Sequence, residues 1–404
     1  MEQEKHPFEF EVSPGAVEKP SPVKGASDFE DGEGTAWSGP VVWLVMALSA
    51  CVYVIAGKLG LLLAFVHASA TAVWLPTGIT LAAFLILGYR VWPGIFLGAF
   101  LVNVSTEGSV ATSIGIATGN TLEGVVGAYF VNRFAGGRRA FERSQDVLTF
   151  AILAGLVSTT VSATCGVTSL SLGGFADWSN YGPIWLTWWL GDVAGDLIVA
   201  PFLILWSTNR RLQWSWAQRA EAALLCTMLV LVALAVFAGL SPSRINNYPL
   251  EYLCIPGLVW AAYRFGPRET ATANIILAGL AIWGTLRGFG PFAMLASNES
   301  LLLLQTFMGV TSVSALTFAA VVAKKRRIEH SRERLLGELQ VALAHIKTLR
   351  GLIPICSTCK RVRNDEGYWD HVESYIQQHS LAQFTHGMCP DCVMRMYANY
   401  QKTE

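Results

Sequence analysis

The sequence predicts an all-α integral membrane protein of eight to ten spanning helices, followed by a cytoplasmic coiled coil and a small cysteine-paired C-terminal module. Three observations predict it: apolar runs of about 20 residues, arginine kept to alternate loops, and a heptad stripe that leads into two CxxC pairs. Of the 404 residues 52% are hydrophobic and only 14% charged, against roughly 25% charged in an ordinary soluble domain. The formal net charge is zero, so no general attraction to nucleic acid is expected.

Residues 1–39 intersperse Pro7, Pro14, Pro20 and Pro22 among acidic residues from Glu2 to Glu33. Such a stretch buries too little apolar surface to fold and reads as a disordered acidic leader. It has neither the basic start nor the apolar middle of a signal peptide.

The membrane region, residues 40–323, contains ten apolar segments, at about 41–64, 70–89, 91–104, 109–132, 147–172, 182–206, 221–240, 250–263, 268–286 and 299–323. The third and eighth are short for a full crossing and read as tilted or re-entrant pieces. Loops after even-numbered segments carry Arg90; Arg133, Arg138, Arg139 and Arg143; Arg210, Arg211 and Arg219; and Arg264 and Arg268. Lys324, Lys325, Arg326 and Arg327 follow the tenth, whereas the other loops hold chiefly Arg244 and Arg287. Basic residues stay on the cytoplasmic side, so both termini are expected there. Trp92, Trp178, Trp206, Trp214 and Trp216 fall near segment ends, as an interfacial aromatic belt requires.

From 324 to 353 the period changes. Leu335, Ala342 and Leu349 alternate with Leu339, Ile346 and Ile353 at spacings of four and three, and Ile328 extends the seam towards the membrane. Pro354 ends it. A parallel homodimer through residues 328–353 is the expected use of this stripe; the alternative is one amphipathic helix lying on the membrane or on its own protein.

Residues 354–404 hold Cys356-Ser-Thr-Cys359 and, 29 residues later, Cys389-Pro-Asp-Cys392. A two-residue spacer lets both thiolates of a pair face one tetrahedral ion, so two pairs supply a closed four-sulfur Zn2+ shell. A reducing cytoplasm argues against structural disulfides, and a thioredoxin-like redox role needs a βαβ context that is absent here. A module this small needs a staple, and zinc binding of roughly 10–16 kcal/mol provides one. His386 is a candidate to support Cys389 from behind, or to replace a cysteine. Tyr368, Trp369, Val372, Tyr375 and Ile376 read as the apolar face of a small helix over the metal site. The other four cysteines, Cys51, Cys165, Cys226 and Cys254, sit singly among apolar residues as small hydrophobes.

Ionisable groups in apolar segments are functional candidates because each costs a few kcal/mol at mid-membrane. Asn120 and Glu123 stand at i and i+3 in the fourth segment, and Asp192 and Asp196 at i and i+4 on one side of the sixth. They suit an ion or a ligand that bears donors; the alternative is that Trp185, Trp188, Trp189 and nearby hydroxyls hydrogen-bond neutral acids for structure alone. Trp74-Leu-Pro76-Thr-Gly-Ile79 puts Pro and Gly early in the second segment, a break whose freed backbone groups must line protein or a cavity. Asn103 is placed in the same region.

The string Trp74, Pro76, Gly78, Gly88-Tyr-Arg90, Trp92-Pro-Gly94, Gly98-Ala-Phe100, Asn103 and Gly119-Asn-Thr-Leu-Glu123 resembles the first class of bacterial membrane-associated sensor domains, the MASE group. Trp185-Leu-Thr-Trp-Trp-Leu-Gly-Asp192, Ala194-Gly-Asp196 and Pro201 strengthen the resemblance, which spans about residues 40–325. It implies a multi-pass input module of the bacterial inner membrane, typically joined to a histidine kinase or diguanylate cyclase. The tail from Leu349 through Gly367-Tyr-Trp369, Phe384-Thr-His-Gly387 and Cys392 is similar to a small module at the ends of bacterial sensory and receiver proteins.

The departure from that pattern is informative. The roughly 80 residues after the membrane carry no glycine-rich nucleotide loop and no GGDEF-like string, and His330 and His345 fit solvated helix positions. The expectation is therefore a non-enzymatic signal transducer that senses a small ligand, ion or membrane state and docks a kinase, receiver or cyclase through its zinc module. The rival expectation is a transporter or solute-binding protein that uses the intramembrane acids, with a regulatory tail.

Overall fold

The computed structural model describes residues 39–62, 64–67, 70–106, 108–208, 214–238, 249–293, 297–345, 353–364, 366–380 and 382–400. The acidic leader, Arg210, Arg211, Arg244, and Ile346 and Leu349 of the heptad seam lie outside the described residues. After Lys324 the chain divides into two compact units.

The first unit is helical, and each of the ten apolar segments carries a helix. These are α1 (Gly39–Leu61), α2 (Leu75–Leu87), α3 (Trp92–Val104), α4 (Val110–Phe134) and α5 (Ser144–Leu172). There follow α6 (Trp178–Thr208), α7 (Trp216–Phe237), α8 (Ile255–Arg264), α9 (Pro267–Leu286) and α10 (Ser297–His345). Among the described residues five helices, α1, α5, α6, α7 and α10, are long and apolar enough to cross a membrane by length and composition. At 13 residues, α2 and α3 are each about 20 Å long, short of a hydrocarbon core of about 30 Å.

Local chemistry explains where the helices begin. Proline occupies one of the first two positions of α2, α3, α8 and α9, where its missing N–H costs nothing. Ser109 and Thr112 cap each other at the start of α4, and Ser215 and Gln218 do so at α7. Gly88, at φ +86°, ends α2 in a conformation that disfavours side chains.

Two cores share α6. Val193 and Leu197 pack with α1–α5, while Ala194, Ile198 and Val199 pack with α7–α10. A helix apolar all round belongs in the middle of a bundle. Two stretches widen into π-helix, Ala151–Ser158 within α5 and Gly195–Val199 within α6.

The all-α expectation is modified by a small antiparallel pair, β1 (Ala64–His67) with β2 (Ala70–Thr71). It returns the chain from the end of α1, and residues 72–74, neither helix nor strand and with Trp74 extended, then lead into α2. The second segment, read from residue 70, is therefore helical only from Leu75. Trp74–Ile79 is the start of a helix and not an interruption within one.

In the second unit the seam residues Ile328, Leu335 and Leu339 on α10 are exposed, and so are Leu336 and Leu343. Ion pairs at helical spacing, Lys325–Glu329 and Arg334–Glu338, lie along the same stretch. The tail contains a hairpin of β3 (Val362–Arg363) and β4 (Trp369–Asp370), then α11 (Val372–His379) and α12 (Pro390–Tyr400). Tyr368 and Trp369 thus belong to the turn and strand, not to a helical face. Asn364 explains this: its side chain accepts from the Tyr368 N–H and donates to Asp370, closing the turn around Gly367 at φ +90°. Both aromatic rings are exposed, and no residue of α11 is buried.

Candidate functional site

The site forms where residues 71–74 meet α6. Backbone lies on backbone there: Trp74 N–H donates to Gly191 O at 3.0 Å. Glycine makes the approach geometrically possible. A Cβ at Gly195 would strike the Trp74 carbonyl, and one at Gly78 would strike the Gly195 carbonyl. Non-helical backbone inside a bundle must have its polar groups met by protein or by a cavity. Gln305 of α10 answers for part of this one, donating to Thr71 O at 3.1 Å and to Thr187 O at 3.4 Å. Two turns further along α10, Ser312 donates to Leu197 O, inside the π-helical stretch, at 2.6 Å.

Beside this junction lies a cavity of about 20 Å³ whose walls include Trp74, Asn103, Thr106, Asn120, Trp188 and Asp192. That is room for about one water molecule. A hydrogen-bonded chain backs it. Trp188 Nε1 donates to Ser162 Oγ (3.2 Å), Ser162 Oγ to Asn120 Oδ1 (2.9 Å), and Asn120 Nδ2 to the Tyr53 hydroxyl (2.8 Å). Helices α1, α4, α5 and α6 are tied together by these three bonds.

The acids are buried to an unusual degree: Glu123, Asp192 and Asp196 expose 1%, 0% and 1% of their surface. Asp192 Oδ1 accepts from Thr77 Oγ1 at 2.9 Å. Asp192 Oδ2, Asp196 Oδ1 and both oxygens of Glu123 have no hydrogen-bond partner among the described residues, nor has Trp74 Nε1. The described residues form no ion pair to any of the three acids. Lys58, on α1, donates instead to Ser105 O and Thr106 Oγ1, capping the end of α3 beside the cavity wall. Unmet acceptors at such burial are costly, and they mark the place where an occupant or a change of packing is rewarded.

Of the residues singled out in the sequence, Trp74, Asn103, Asn120 and Asp192 come together on one cavity wall. Glu123 and Asp196 are buried close by, near enough to Asp192 for their charges to interact, but are not on that wall. Asp196 lies within the π-helical stretch Gly195–Val199 of α6. Pro76 serves to start α2. Asn103 also bonds back to Ala99 O in its own helix. The indole N–H groups of Trp185, Trp188 and Trp189 donate to Thr164, Ser162 and the Leu156 carbonyl. Tyr53, Thr77, Ser162 and Gln305 are members of the site that the sequence reading missed. Tyr53 and Gln305 interrupt apolar runs, the signal that revealed the acids, whereas Ser162 is one of several hydroxyl residues between Ser158 and Thr164.

In the tail each cysteine pair is built as a turn that suits a metal-bound thiolate. Cys356 N–H donates to Arg361 O and Lys360 N–H to Cys356 O, with Lys360 at φ +60°. The Cys359 backbone amide, aimed at Cys356, draws that thiol below its usual range; the Cys392 amide does the same for Cys389. Cys389 stands immediately before α12 and Cys392 in its first turn. The donor chemistry therefore fits Zn2+ pair by pair. Among the described residues, no three or more His, Cys, Asp or Glu side chains are grouped so as to hold a metal ion. His386 is exposed.

The profile of the MASE1 family matches residues 43–326, which contain the whole membrane site. No curated protein and no solved structure matches the chain.

Proposed function

The chain belongs to the MASE1 family of membrane-associated sensor domains, and from that premise we propose that it is a non-enzymatic signal transducer whose membrane unit senses a small ligand, an ion or the state of the membrane. One observation carries the reading. Gln305, on the helix that continues past Lys324, is bonded to the carbonyl of Thr71, and Thr71 lines the cavity beside Asp192. A change in occupancy at the cavity therefore bears directly on α10.

In this reading the protein crosses the bacterial inner membrane eight to ten times, with both termini in the cytoplasm, as its arginine distribution favours. The α10 seam pairs with a second copy through residues 328–353 as a coiled coil. Cys356, Cys359, Cys389 and Cys392 close around Zn2+, which supplies the fold of residues 354–404. That module docks a histidine kinase, receiver or cyclase. Convergence of the two pairs on one ion is part of the proposal, supported by the thiolate-stabilising turn at each pair.

Transport is the rival. In that reading the intramembrane acids Glu123, Asp192 and Asp196 bind a solute or cation. Solute uptake into vesicles, abolished by Asp192→Asn, would favour it over sensing. The deciding experiment is affinity capture from native membranes, comparing the intact chain with Cys389→Ser. A kinase, receiver or cyclase held by the first and lost by the second is expected; no such partner with either form overturns the docking role.

A further inference from the structure

A second cavity, far from the acids in character, lies where the loops after α4, α6 and α8 meet. It measures about 420 Å³, within the roughly 300–1,000 Å³ typical of small-molecule sites. All three loops belong to the arginine-bearing set, so the cavity sits at the basic end of the membrane unit.

Its walls combine two chemistries. Trp214 and Phe265, with rings 5.4 Å apart, join Phe141 and Leu205 as an apolar side. Arg138, Arg139 and Arg268 face Glu142 and Glu269, three cations against two anions. Most of these charges are committed. Arg268 is paired with Glu269 and lies over the Trp206 ring at 5.1 Å. The Arg138 guanidinium caps α2, donating to the carbonyls of Leu85 and Ile86, and has no carboxylate partner among the described residues. Glu142 is also engaged. Arg139 differs: it is exposed, and its side chain makes no hydrogen bond or ion pair among the described residues.

We propose that this cavity binds a phosphate ester carrying an apolar or aromatic body. The phosphate oxygens take the Arg139 fork, whose planar donors match a tetrahedral anion, with the field of Arg138 behind it. The body lies against Trp214 and Phe265. A phospholipid headgroup and a soluble nucleotide both have this chemistry. The setting, a basic end with indoles at the bilayer interface, favours the lipid.

The test uses the full chain, purified in detergent and delipidated. Retention of added phosphatidylglycerol is followed by native mass spectrometry with phosphatidylcholine as competitor, and ATP is titrated in parallel by calorimetry. Arg139→Ala and Trp214→Ala are compared with Arg133→Ala, an arginine that stacks on Phe134 and does not line the cavity. Melting temperatures confirm that all three variants fold. The expected result is selective phosphatidylglycerol retention that falls about fivefold in Arg139→Ala and stays unchanged in Arg133→Ala. ATP binding that is lost in Arg139→Ala assigns the site to a soluble phosphate ester. Equal behaviour of wild type and Arg139→Ala towards both probes overturns the proposal.

Discussion

Gln305 and Thr71, 234 residues apart in sequence, meet through a 3.1 Å bond from the side-chain amide to the main-chain carbonyl. The bond joins α10 to the segment of residues 71–74 that leads into α2. Intramembrane hydrogen bonds average about 0.6 kcal/mol, so Gln305→Leu should leave the protein folded. Its effect should be on communication. Asp192→Asn is expected to change amide exchange in residues 312–343 of the intact chain, and to change it much less when Gln305→Leu is also present. A persistent effect in the double variant would break the proposed link. No effect in either background would instead remove Asp192 from sensing.

Glu123 offers a test of whether the acids are kept for function. Both of its carboxyl oxygens lack partners, and the side chain is almost fully buried. Glu123→Met conserves volume and removes the unmet acceptors. It should be neutral or stabilising by about 1–3 kcal/mol in thermal unfolding, and signalling should be lost. Asp192→Leu should behave oppositely and destabilise by about 1–3 kcal/mol, because Thr77 loses its acceptor. Equal losses of stability at both positions would refute the distinction.

The glycines of α6 predict a third outcome. Gly195→Ala would force its methyl into the Trp74 carbonyl, at a cost of about 1–3 kcal/mol for overpacking. Gly279→Ala is the control, since nothing lies within 4 Å of a Cβ there and alanine favours a helix. A lowered melting temperature only for Gly195→Ala is expected; equal melting temperatures would show that the close approach is dispensable.

Length and hydropathy made the five long helices α1, α5, α6, α7 and α10 legible, because a run that fills a bilayer stands out in any sequence. The acids were legible for the same reason inverted: Glu123, Asp192 and Asp196 interrupt apolar runs where charge is costly. The path between them was not. Gln305 is one polar letter in a leucine-rich segment, and only the packing of α10 on residues 71–74 gives it a role. The extended entry was hidden too, because Ala70–Trp74 is as apolar as a helix would be.

The tail should depend on metal independently of the membrane unit. Zinc at one equivalent per chain is expected by elemental analysis of the purified protein, and it should fall in Cys389→Ser. Because residues after Lys324 form a separate compact unit, chelation should expose 354–404 to protease while the melting of the membrane unit stays the same. Full protease resistance without zinc would show that the cysteines do not staple this module.

The exposed stripe on α10 makes the last prediction. Leu335 and Leu339 lie four residues apart on one face and are both exposed, and Leu336 and Leu343 widen that face. A solvated helix gains nothing from such a stripe, whereas a partner helix buries it. Each leucine is worth about 1.5–3 kcal/mol on burial, so Leu339→Glu should weaken self-association by about tenfold or more. A photo-cross-linking amino acid at residue 339 should capture a second copy in native membranes. The same group at Gly337, on the opposite face in the heptad register, should not. Equal cross-linking at both positions would place the contact elsewhere, and cross-linking to lipid alone at 339 would favour a helix that lies on the membrane surface.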